Sequence, residues 1–327
     1  MARHGNVCLP LVLFSAAVVL AGCNSGASVS GTFDRNYKVS GPIRLELTNA
    51  SGDVDITGSA DGKVHVRGEV RASGFGFENP QTRLDDTLAN PPIEQRGDTI
   101  RIGQEMSRMR NISIAYTIQV PRDTEVSSTL ASGAQTIRGV RGPVKVQAAS
   151  GVIRVEKIER DTQLTTLSGT VSATDIGDDV RVSSASGSVT VSNARGDVRV
   201  NAISGIISVS NPGGRIEADT ASGEVEIHGA AKDVKAHAAS GRVFVQGNPG
   251  ADNYWELRTV SGAVQLGVPA SANLHLSAEA VSGEIRTDIP IVIEEQGKHS
   301  LRAHMGSGGG RVDVHTVSGE IRVSGTK

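Results

Sequence analysis

Three consecutive segments of 18 residues decide the fold of this chain: TQLTTLSGTVSATDIGDD at 162–179, VRVSSASGSVTVSNARGD at 180–197 and VRVNAISGIISVSNPGGR at 198–215. Each segment carries a Ser-Gly dipeptide at the same position, and the same phase extends over the wider stretch 140–245. A repeat of fixed period is typical of architectures that stack one structural unit on the next. The serines of the series are Ser132, Ser150, Ser168, Ser186, Ser204, Ser222 and Ser240.

A shorter period of nine residues runs through the apolar positions of the same stretch. Two apolar columns lie two residues apart, as Val180 and Val182 do, and such side chains share one face of a β-strand. β-Branched residues favour strands, whereas the Gly, Ser, Asn and Asp between them favour turns. A third apolar column precedes the first by four residues, and we expect it to point inward as well. Its members are Val140, Ala149, Ile158, Leu167, Ile176, Ala185, Ala194, Ile203, Pro212, Ala221, Ala230 and Ala239.

These patterns predict an all-β fold, a parallel β-solenoid of the β-helix or β-roll type. Each 18-residue coil would consist of two nine-residue halves whose strands face each other. A left-handed coil of hexapeptides also has 18 residues per turn, but its apolar residues should recur every six. An antiparallel meander would need a hairpin turn such as Asn-Gly at each reversal, and it does not explain why Ser-Gly marks every second turn.

Residues 1–22 are predicted to be a targeting segment that is not part of the fold. An apolar run over 9–20 ends in Leu20-Ala21-Gly22-Cys23, which resembles a bacterial lipobox. We therefore expect lipid on the Cys23 thiol and a protein anchored in the cell envelope. Asn24 after the lipidated cysteine resembles outer-membrane sorting in Gram-negative bacteria. The alternative is an ordinary secretory signal, while a transmembrane helix is disfavoured because the run is shorter than about 20 residues.

Composition agrees with export. The net charge of −2 provides no long-range attraction to nucleic acid, so we predict no nucleic-acid partner. Aromatic residues make up 3% of the chain and there are 39 glycines, which favours a β-coil over a globular enzyme. Cys8 would leave with the signal segment and Cys23 would carry lipid, so the mature chain would have neither a free thiol nor a disulfide.

Four regions follow from these patterns: the signal peptide 1–22, a Ser/Gly-rich tether 23–32, irregular first coils and a cap at 33–128, and the regular solenoid 129–327. Within the third region, 71–97 has no strong period and contains Pro80, Pro91 and Pro92, which predicts a loop or excursion. After residue 245 the Ser-Gly spacing widens to 21 at Ser261 and Ser282. Ser318 follows 36 residues later, which predicts two further coils of 18.

Several motifs resemble a bacterial adhesin-like family of unknown function. They are Gly41-Pro42-Ile43-x-Leu45, Ser51-Gly52-Asp53-Val54, Tyr116-x-Ile118-x-Val120-Pro121 and the recurring Ser-Gly-(Glu/Ser)-(Ile/Val). The resemblance covers about residues 33–327. It implies a β-solenoid at the cell envelope and a binding role, and it supplies no catalytic residues.

Two places are predicted to contact a ligand. On one sheet the outward column includes Ser172, Thr190 and Ser208, flanked by further Ser and Thr residues, and this flat array of hydroxyls could dock on a repetitive polysaccharide. The alternative is a solvated sheet face that only keeps the protein soluble. The second place is Tyr254-Trp255, which is aromatic and lies in a lengthened coil. The alternative for this pair is a plug over the interior where the coil widens.

Metal and catalytic chemistry have little support in the sequence. A turn column with Asp161, Asp179, Asp197 and Asp233 suggests calcium, but it lacks the G-G-x-G of calcium-binding nonapeptides. We expect each of these carboxylates to accept its own turn's backbone N–H instead. His228 and His237 are nine residues apart and would lie on opposite sheets. No H-E-x-x-H, G-x-S-x-G or Walker motif occurs, so we predict no enzyme activity and no cofactor.

The sequence therefore predicts a non-catalytic, lipid-anchored solenoid of the cell envelope that presents a binding or structural surface. Its partners would be the membrane, through the N-terminal lipid, and a glycan or an envelope protein. Two alternatives remain: a signalling or scaffold protein that binds other envelope proteins through 71–97, and a polysaccharide-active enzyme on a solenoid.

Overall fold

The computed structural model describes residues 28–39, 41–74, 79–103 and 111–326. The regular part consists of six long strands, each of which forms most of one coil. Neighbouring strands are parallel and exactly one 18-residue repeat apart, as the pairing of Thr162 with Val180 and of Ser168 with Ser186 shows. The predicted parallel solenoid is therefore confirmed. These strands are β8 (Glu125–Arg138), β9 (Val144–Ile158), β10 (Thr162–Ile176), β11 (Val180–Ala194), β12 (Val198–Ser210) and β13 (Ile216–Ala230).

Each long strand contains both nine-residue halves, joined at the Ser-Gly corner. In β11, Val180 and Val182 before the corner and Val189 and Val191 after it are at most 1% exposed. Side chains from both halves belong to one continuous core. Burial of these β-branched side chains, together with the hydrogen-bonded ladder between coils, stabilises the fold.

The other corner of each coil contains a second backbone feature, which recurs from coil to coil. Lys157, Asp175, Asn193 and Asn211 all have φ between 51° and 57°, and Gly139 and Gly229 extend the same column. The residue with positive φ acts as a bulge that shifts the in–out alternation by one position. Consequently the residue after it, such as Ile158 or Ile176, turns into the core.

The prediction that the whole third apolar column points inward is therefore wrong for half of it. Before the Ser-Gly corner no residue has positive φ, so the alternation continues undisturbed. Ala148 and Ala202, which lie one position before this column in their coils, are buried. Leu167 and Ile203, which belong to the column itself, are each 63% exposed. The outward members are Ala149, Leu167, Ala185, Ile203, Ala221 and Ala239.

The first part of the chain forms irregular coils and a cap. Strands β2 (Arg44–Ser51) and β3 (Val54–Ser59) pair in parallel with β8 and extend the solenoid, while β1 (Ser28–Lys38) and β5 (Ile93–Arg96) add antiparallel edges. The predicted tether 23–32 is too long, because its residues from Ser28 onward pair with β4 as part of β1. The elements are β1 (Ser28–Lys38), β2 (Arg44–Ser51), β3 (Val54–Ser59), β4 (Lys63–Ser73), α1 (Pro80–Ala89), β5 (Ile93–Arg96), β6 (Thr99–Ile102) and β7 (Ile112–Pro121).

The predicted excursion 71–97 contains a helix. Asn79 caps α1 by accepting a hydrogen bond from the Gln81 backbone N–H at 2.9 Å, and Pro80 occupies the first turn. Proline fits there because its missing N–H would have had no partner inside the helix. Leu84 on the buried side of α1 is 3% exposed and joins the core.

The C-terminal coils do not follow the order of the sequence. The strand β22 (Gly310–Ser318) lies between β16 (Tyr254–Ser261) and β18 (Leu274–Ser282), so Ser318 pairs with both Ser261 and Ser282. The predicted simple succession of two coils after Ser282 is therefore wrong. The elements are β14 (Val234–Ser240), β15 (Val243–Gly247), β16 (Tyr254–Ser261), β17 (Val264–Pro269), β18 (Leu274–Ser282), β19 (Ile285–Thr287), β20 (Val292–Gln296), β21 (Ser300–Met305), β22 (Gly310–Ser318) and β23 (Ile321–Thr326).

The predicted signal segment, the lipid-bearing Cys23 and the start of the tether lie outside the described residues. Within the described ranges, no helix has both the length and the apolar character needed to cross a bilayer.

Candidate functional site

The predicted hydroxyl array is present on the sheet that follows the Ser-Gly corner. Ser172, Thr190 and Ser208 pair in register on β10, β11 and β12, and each side chain is partly exposed. Neighbouring coils are about 4.8 Å apart, and residues two apart along a strand are about 6.8 Å apart. We call this surface the hydroxyl face; its residues are Thr170, Ser172, Thr174, Ser188, Thr190, Ser192, Ser208 and Ser210.

The hydroxyl face is an uncharged window between charged coils. Before it, Arg154 and Glu156 occupy the positions that pair with Ser172 and Thr174. After it, Glu226 pairs with Ser208 and is bound by Arg242 at 3.0 Å. Each hydroxyl can both donate and accept a hydrogen bond. The face is thus suited to a polar, uncharged ligand with donors and acceptors of its own.

The two residues of the second predicted contact, Tyr254 and Trp255, have different surroundings. Trp255 is 0% exposed, and its indole N–H donates to the Lys232 carbonyl at 2.7 Å. A side chain in the core cannot meet an external ligand, so we remove Trp255 from the candidate contacts. Tyr254 is 39% exposed, and its hydroxyl donates to Asp313 at 2.8 Å. It joins β16 to the inserted strand β22.

An exposed apolar line, which sequence reasoning missed, follows the Ser-Gly corner along the solenoid. Leu167 and Ile203 are each 63% exposed, and Val260, Val281 and Val317 are 39–58% exposed. Contiguous apolar surface of this kind usually marks a contact site. We call it the corner stripe; in spatial order its residues are Ala149, Leu167, Ala185, Ile203, Ala221, Ala239, Val260, Val317 and Val281.

The corner stripe forms one wall of an open groove of about 800 Å³. The opposite wall is a polar column two residues earlier in each coil. It is neutral at Thr165, Ser183 and Asn201 and then becomes charged. We call it the polar wall; its residues are Thr165, Ser183, Asn201, Asp219, His237, Arg258 and His315.

The charged half of the polar wall is an internally paired network. His237 Nδ1 lies 3.3 Å from Asp219 Oδ1, and its Nε2 lies 3.8 Å from Glu256 Oε1. Arg258 in turn binds Glu256 at 2.7 Å. This part of the groove therefore presents carboxylates and a guanidinium beside the imidazole of His237.

Opposite charges are also paired on the neighbouring sheet column. Arg199 donates to Glu217 at 2.7 Å, and Lys235 Nζ lies 3.7 Å from the same carboxylate. The hydrogen bond from Arg199 is the main reason that the pKa of Glu217 is lowered.

The aspartates of the turn column link one coil to the next. Asp179 Oδ1 accepts the backbone N–H of Asp197 at 2.9 Å, and Asp197 Oδ1 accepts that of Arg215 at 2.8 Å. Asp233 accepts the backbone N–H of Tyr254 in the same way. For Asp179, Asp197 and Asp233, the expected bonds within the turn are therefore replaced by bonds between coils. Within the described ranges, no three His, Cys, Asp or Glu residues are placed to hold a metal ion.

A family model described as Toastrack DUF4097 matches residues 44–324. The chain belongs to the Toastrack DUF4097 family. The match begins at β2 and ends within β23, so it includes the hydroxyl face, the corner stripe and the polar wall.

Two solved structures are similar to this Toastrack chain. One is a candidate cell adhesion protein from Clostridium sporogenes, with 10% identity, 91% of this chain and 100% of that chain covered, and a TM-score of 0.23. The other is a candidate adhesin from Bacteroides fragilis, with 14% identity, 90% of this chain and 97% of that chain covered, and a TM-score of 0.29. No curated protein matches the sequence significantly.

Proposed function

We propose that this Toastrack protein is a non-catalytic, lipid-anchored solenoid of the cell envelope that binds a glycan through its hydroxyl face. The observation that supports this function most directly is the in-register stack of Ser172, Thr190 and Ser208. A polysaccharide presents hydroxyls at regular intervals, and a rigid lattice of hydroxyls can meet many of them at once. Because strands hold the lattice in place before binding, little side-chain entropy is lost on association.

The solenoid interior is filled with apolar side chains, which favours a function at the outer surface over catalysis in an internal cleft. Core columns of Val, Ile and Ala from both halves of each coil are almost fully buried. What differs from coil to coil is the outward side chains. Binding is therefore expected on the outer sheets and corners.

The anchoring part of the proposal rests on the Leu20-Ala21-Gly22-Cys23 sequence. Ser28, where β1 begins, is five residues after Cys23. An extended chain of that length spans at most about 17 Å. Lipidation at Cys23 would therefore hold the capped N-terminal end of the solenoid near the membrane, in the outer membrane if the bacterium is Gram-negative.

A glycan array with the full chain, purified in mild detergent, tests the binding role. The variant Thr190→Glu places a charge at the centre of the hydroxyl face, and we expect it to abolish glycan capture. Gln163→Glu is the matched control, because Gln163 is exposed on the other sheet in β10. Equal capture by wild type and Thr190→Glu would refute the proposed face. Release of shortened or unsaturated sugars would refute the non-catalytic assignment, and capture of an envelope protein alone would favour the scaffold alternative.

A further inference from the structure

Large and small side chains follow one another along the corner stripe. When a second stripe runs in the opposite direction, most of the large side chains face small ones. Of the seven stripe residues that line the groove, Ala221 is the fourth, so three precede it and three follow it. Suppose that two stripes lie antiparallel with their Ala221 residues facing each other. A residue that lies a given number of coils before Ala221 in one copy then faces the residue the same number of coils after Ala221 in the other copy. Ile203 then faces Ala239, and Ala185 faces Val260.

We propose that the corner stripe is the interface at which a second copy of this chain docks, antiparallel, about a two-fold axis at Ala221. At the next rungs Leu167 faces Val317 and Ala149 faces Val281. Three of the four distinct off-axis pairs thus match a large side chain with an alanine, so the ridges of one copy fit the gaps of the other. Such an isologous contact closes and produces a dimer, not a fibre.

The polar wall is compatible with the same axis. In the antiparallel arrangement, its neutral half faces its charged half. Ser183 then faces Arg258, Asn201 faces His237, and Thr165 faces His315, so hydroxyl and amide groups meet cationic or imidazole groups. Only Asp219 meets its own copy, and in each chain it already lies 3.3 Å from His237.

A parallel arrangement of two stripes fits less well. Each residue would then face its own copy, with Leu167 on Leu167 and Ile203 on Ile203, and these contacts would hold the alanine rungs apart. The antiparallel axis avoids this steric mismatch at every pair except Leu167 with Val317, and the one like-charged pair that it opposes is Asp219 with its own copy.

The dimer would leave the proposed glycan-binding surface free. Neither Ser172, Thr190 nor Ser208 lines the groove, because they lie on the sheet beyond the corner. Two copies would therefore present two hydroxyl faces, and linked binding sites raise overall avidity. The inference about self-association does not depend on whether those faces bind glycan.

The first test is the mass of the full chain in mild detergent by analytical ultracentrifugation. We expect a dimer for the wild type and a monomer for Ile203→Asp, since the aspartate would be buried against apolar side chains of the second copy. Gln163→Asp introduces the same charge on the other sheet and should remain dimeric. Because Ile203 is exposed in the single chain, unchanged circular dichroism should confirm that Ile203→Asp still folds.

Cysteine cross-linking tests the axis in a background with Cys8→Ser and Cys23→Ser. We expect Ala221→Cys to form a disulfide-linked dimer under mild oxidation. Leu167→Cys and Ala239→Cys should not cross-link to themselves, whereas a mixture of Ile203→Cys and Ala239→Cys chains should form mixed dimers. Self-cross-linking of Leu167→Cys as efficient as that of Ala221→Cys would overturn the antiparallel axis.

Other occupants of the groove would also overturn the proposal. A wild-type chain that stays monomeric at high micromolar concentration excludes a second copy as the partner. If such a monomer binds phosphatidylglycerol vesicles and Ile203→Asp abolishes that binding, the groove would be assigned to lipid instead.

Discussion

Gly187 lies directly against Gly169 of the preceding coil, and a Cβ atom on Gly187 would stand 1.8 Å from the Gly169 carbonyl oxygen. The φ angle of Gly187 is 126°, which residues with a side chain rarely adopt. The same relationship recurs at each Ser-Gly corner, so the dipeptide sets both the turn and the close approach of successive coils.

Replacing one corner glycine should therefore destabilise the whole solenoid. Gly187→Ala combines a backbone clash with an unfavourable φ, and we expect the free energy of unfolding to fall by at least about 3 kcal/mol. Urea denaturation would measure this loss. Gly62→Ala is the control, because nothing lies within 4 Å of a Cβ there. Equal stability of the two variants would contradict the proposed role of the corner.

The opposite corner offers a stabilising substitution. Lys157 adopts φ 55°, where Asn is tolerated better than Lys. Asn193 and Asn211 already occupy this column, and Asn193 donates to Asp175 at 2.9 Å. We expect Lys157→Asn to raise the free energy of unfolding by about 1 kcal/mol. Lys145→Asn removes the same charge from an ordinary strand position and should give no gain in the same denaturation experiment.

Trp255 should affect stability and not binding. Its side chain is 0% exposed, so Trp255→Ala should cost about 3–5 kcal/mol in the free energy of unfolding. Trp255→Phe keeps most of the packing but removes the 2.7 Å hydrogen bond to Lys232 and should cost less. Per folded molecule, glycan affinity of Trp255→Phe should equal that of the wild type. A selective loss of affinity would return Trp255 to the binding site.

The raised pKa of Tyr254 leads us to expect that stability depends on pH in the alkaline range. Burial, and then the hydrogen bond and the charge of Asp313, raise the pKa of Tyr254 to about 12. Because the ordinary tyrosine pKa is about 10, the folded form holds this proton more tightly than the unfolded form. The contribution to stability is therefore complete below about pH 10 and is lost as the pH rises toward about 12. Asp313→Asn should lower the midpoint of the tyrosinate absorbance change, and Tyr254→Phe should remove that step. An unchanged midpoint in Asp313→Asn would contradict the role of the Tyr254–Asp313 bond.

The repeat itself was sufficient to predict the coil. An 18-residue period with two V-x-V segments permits parallel in-register stacking, and the pairing of Val180 with Val198 confirms it. The stacked positions of Ser172, Thr190 and Ser208 follow from the same register.

The outward turn of Leu167 and Ile203 was missed because their column was treated as uniform. The sequence did contain a signal: the residue before each inward member is Gly, Lys, Asp or Asn, whereas Ala, Thr or Ser precedes each outward member. Gly, Asp and Asn tolerate positive φ best, and a bulge at that residue reverses the alternation. The type of residue before each member of the third apolar column therefore distinguishes its inward members from the outward ones that form the corner stripe.

Two other differences between the predicted and the observed fold have causes that the repeat period does not contain. The insertion of β22 between β16 and β18 depends on which strand edges pair, and the 36-residue step from Ser282 to Ser318 is equally compatible with sequential coils. Pro80 disfavours an interior strand, but Asn79-Pro80 is also a typical helix start, and the period does not distinguish a loop from a helix there.

The most direct test of the account is the affinity of the best array glycan for two variants, measured side by side by titration calorimetry. We predict that Thr190→Glu lowers the affinity at least tenfold, whereas Ile203→Asp leaves the affinity of each site unchanged. Full binding by Thr190→Glu, with loss of binding in Ile203→Asp, would contradict the account and place the ligand in the groove.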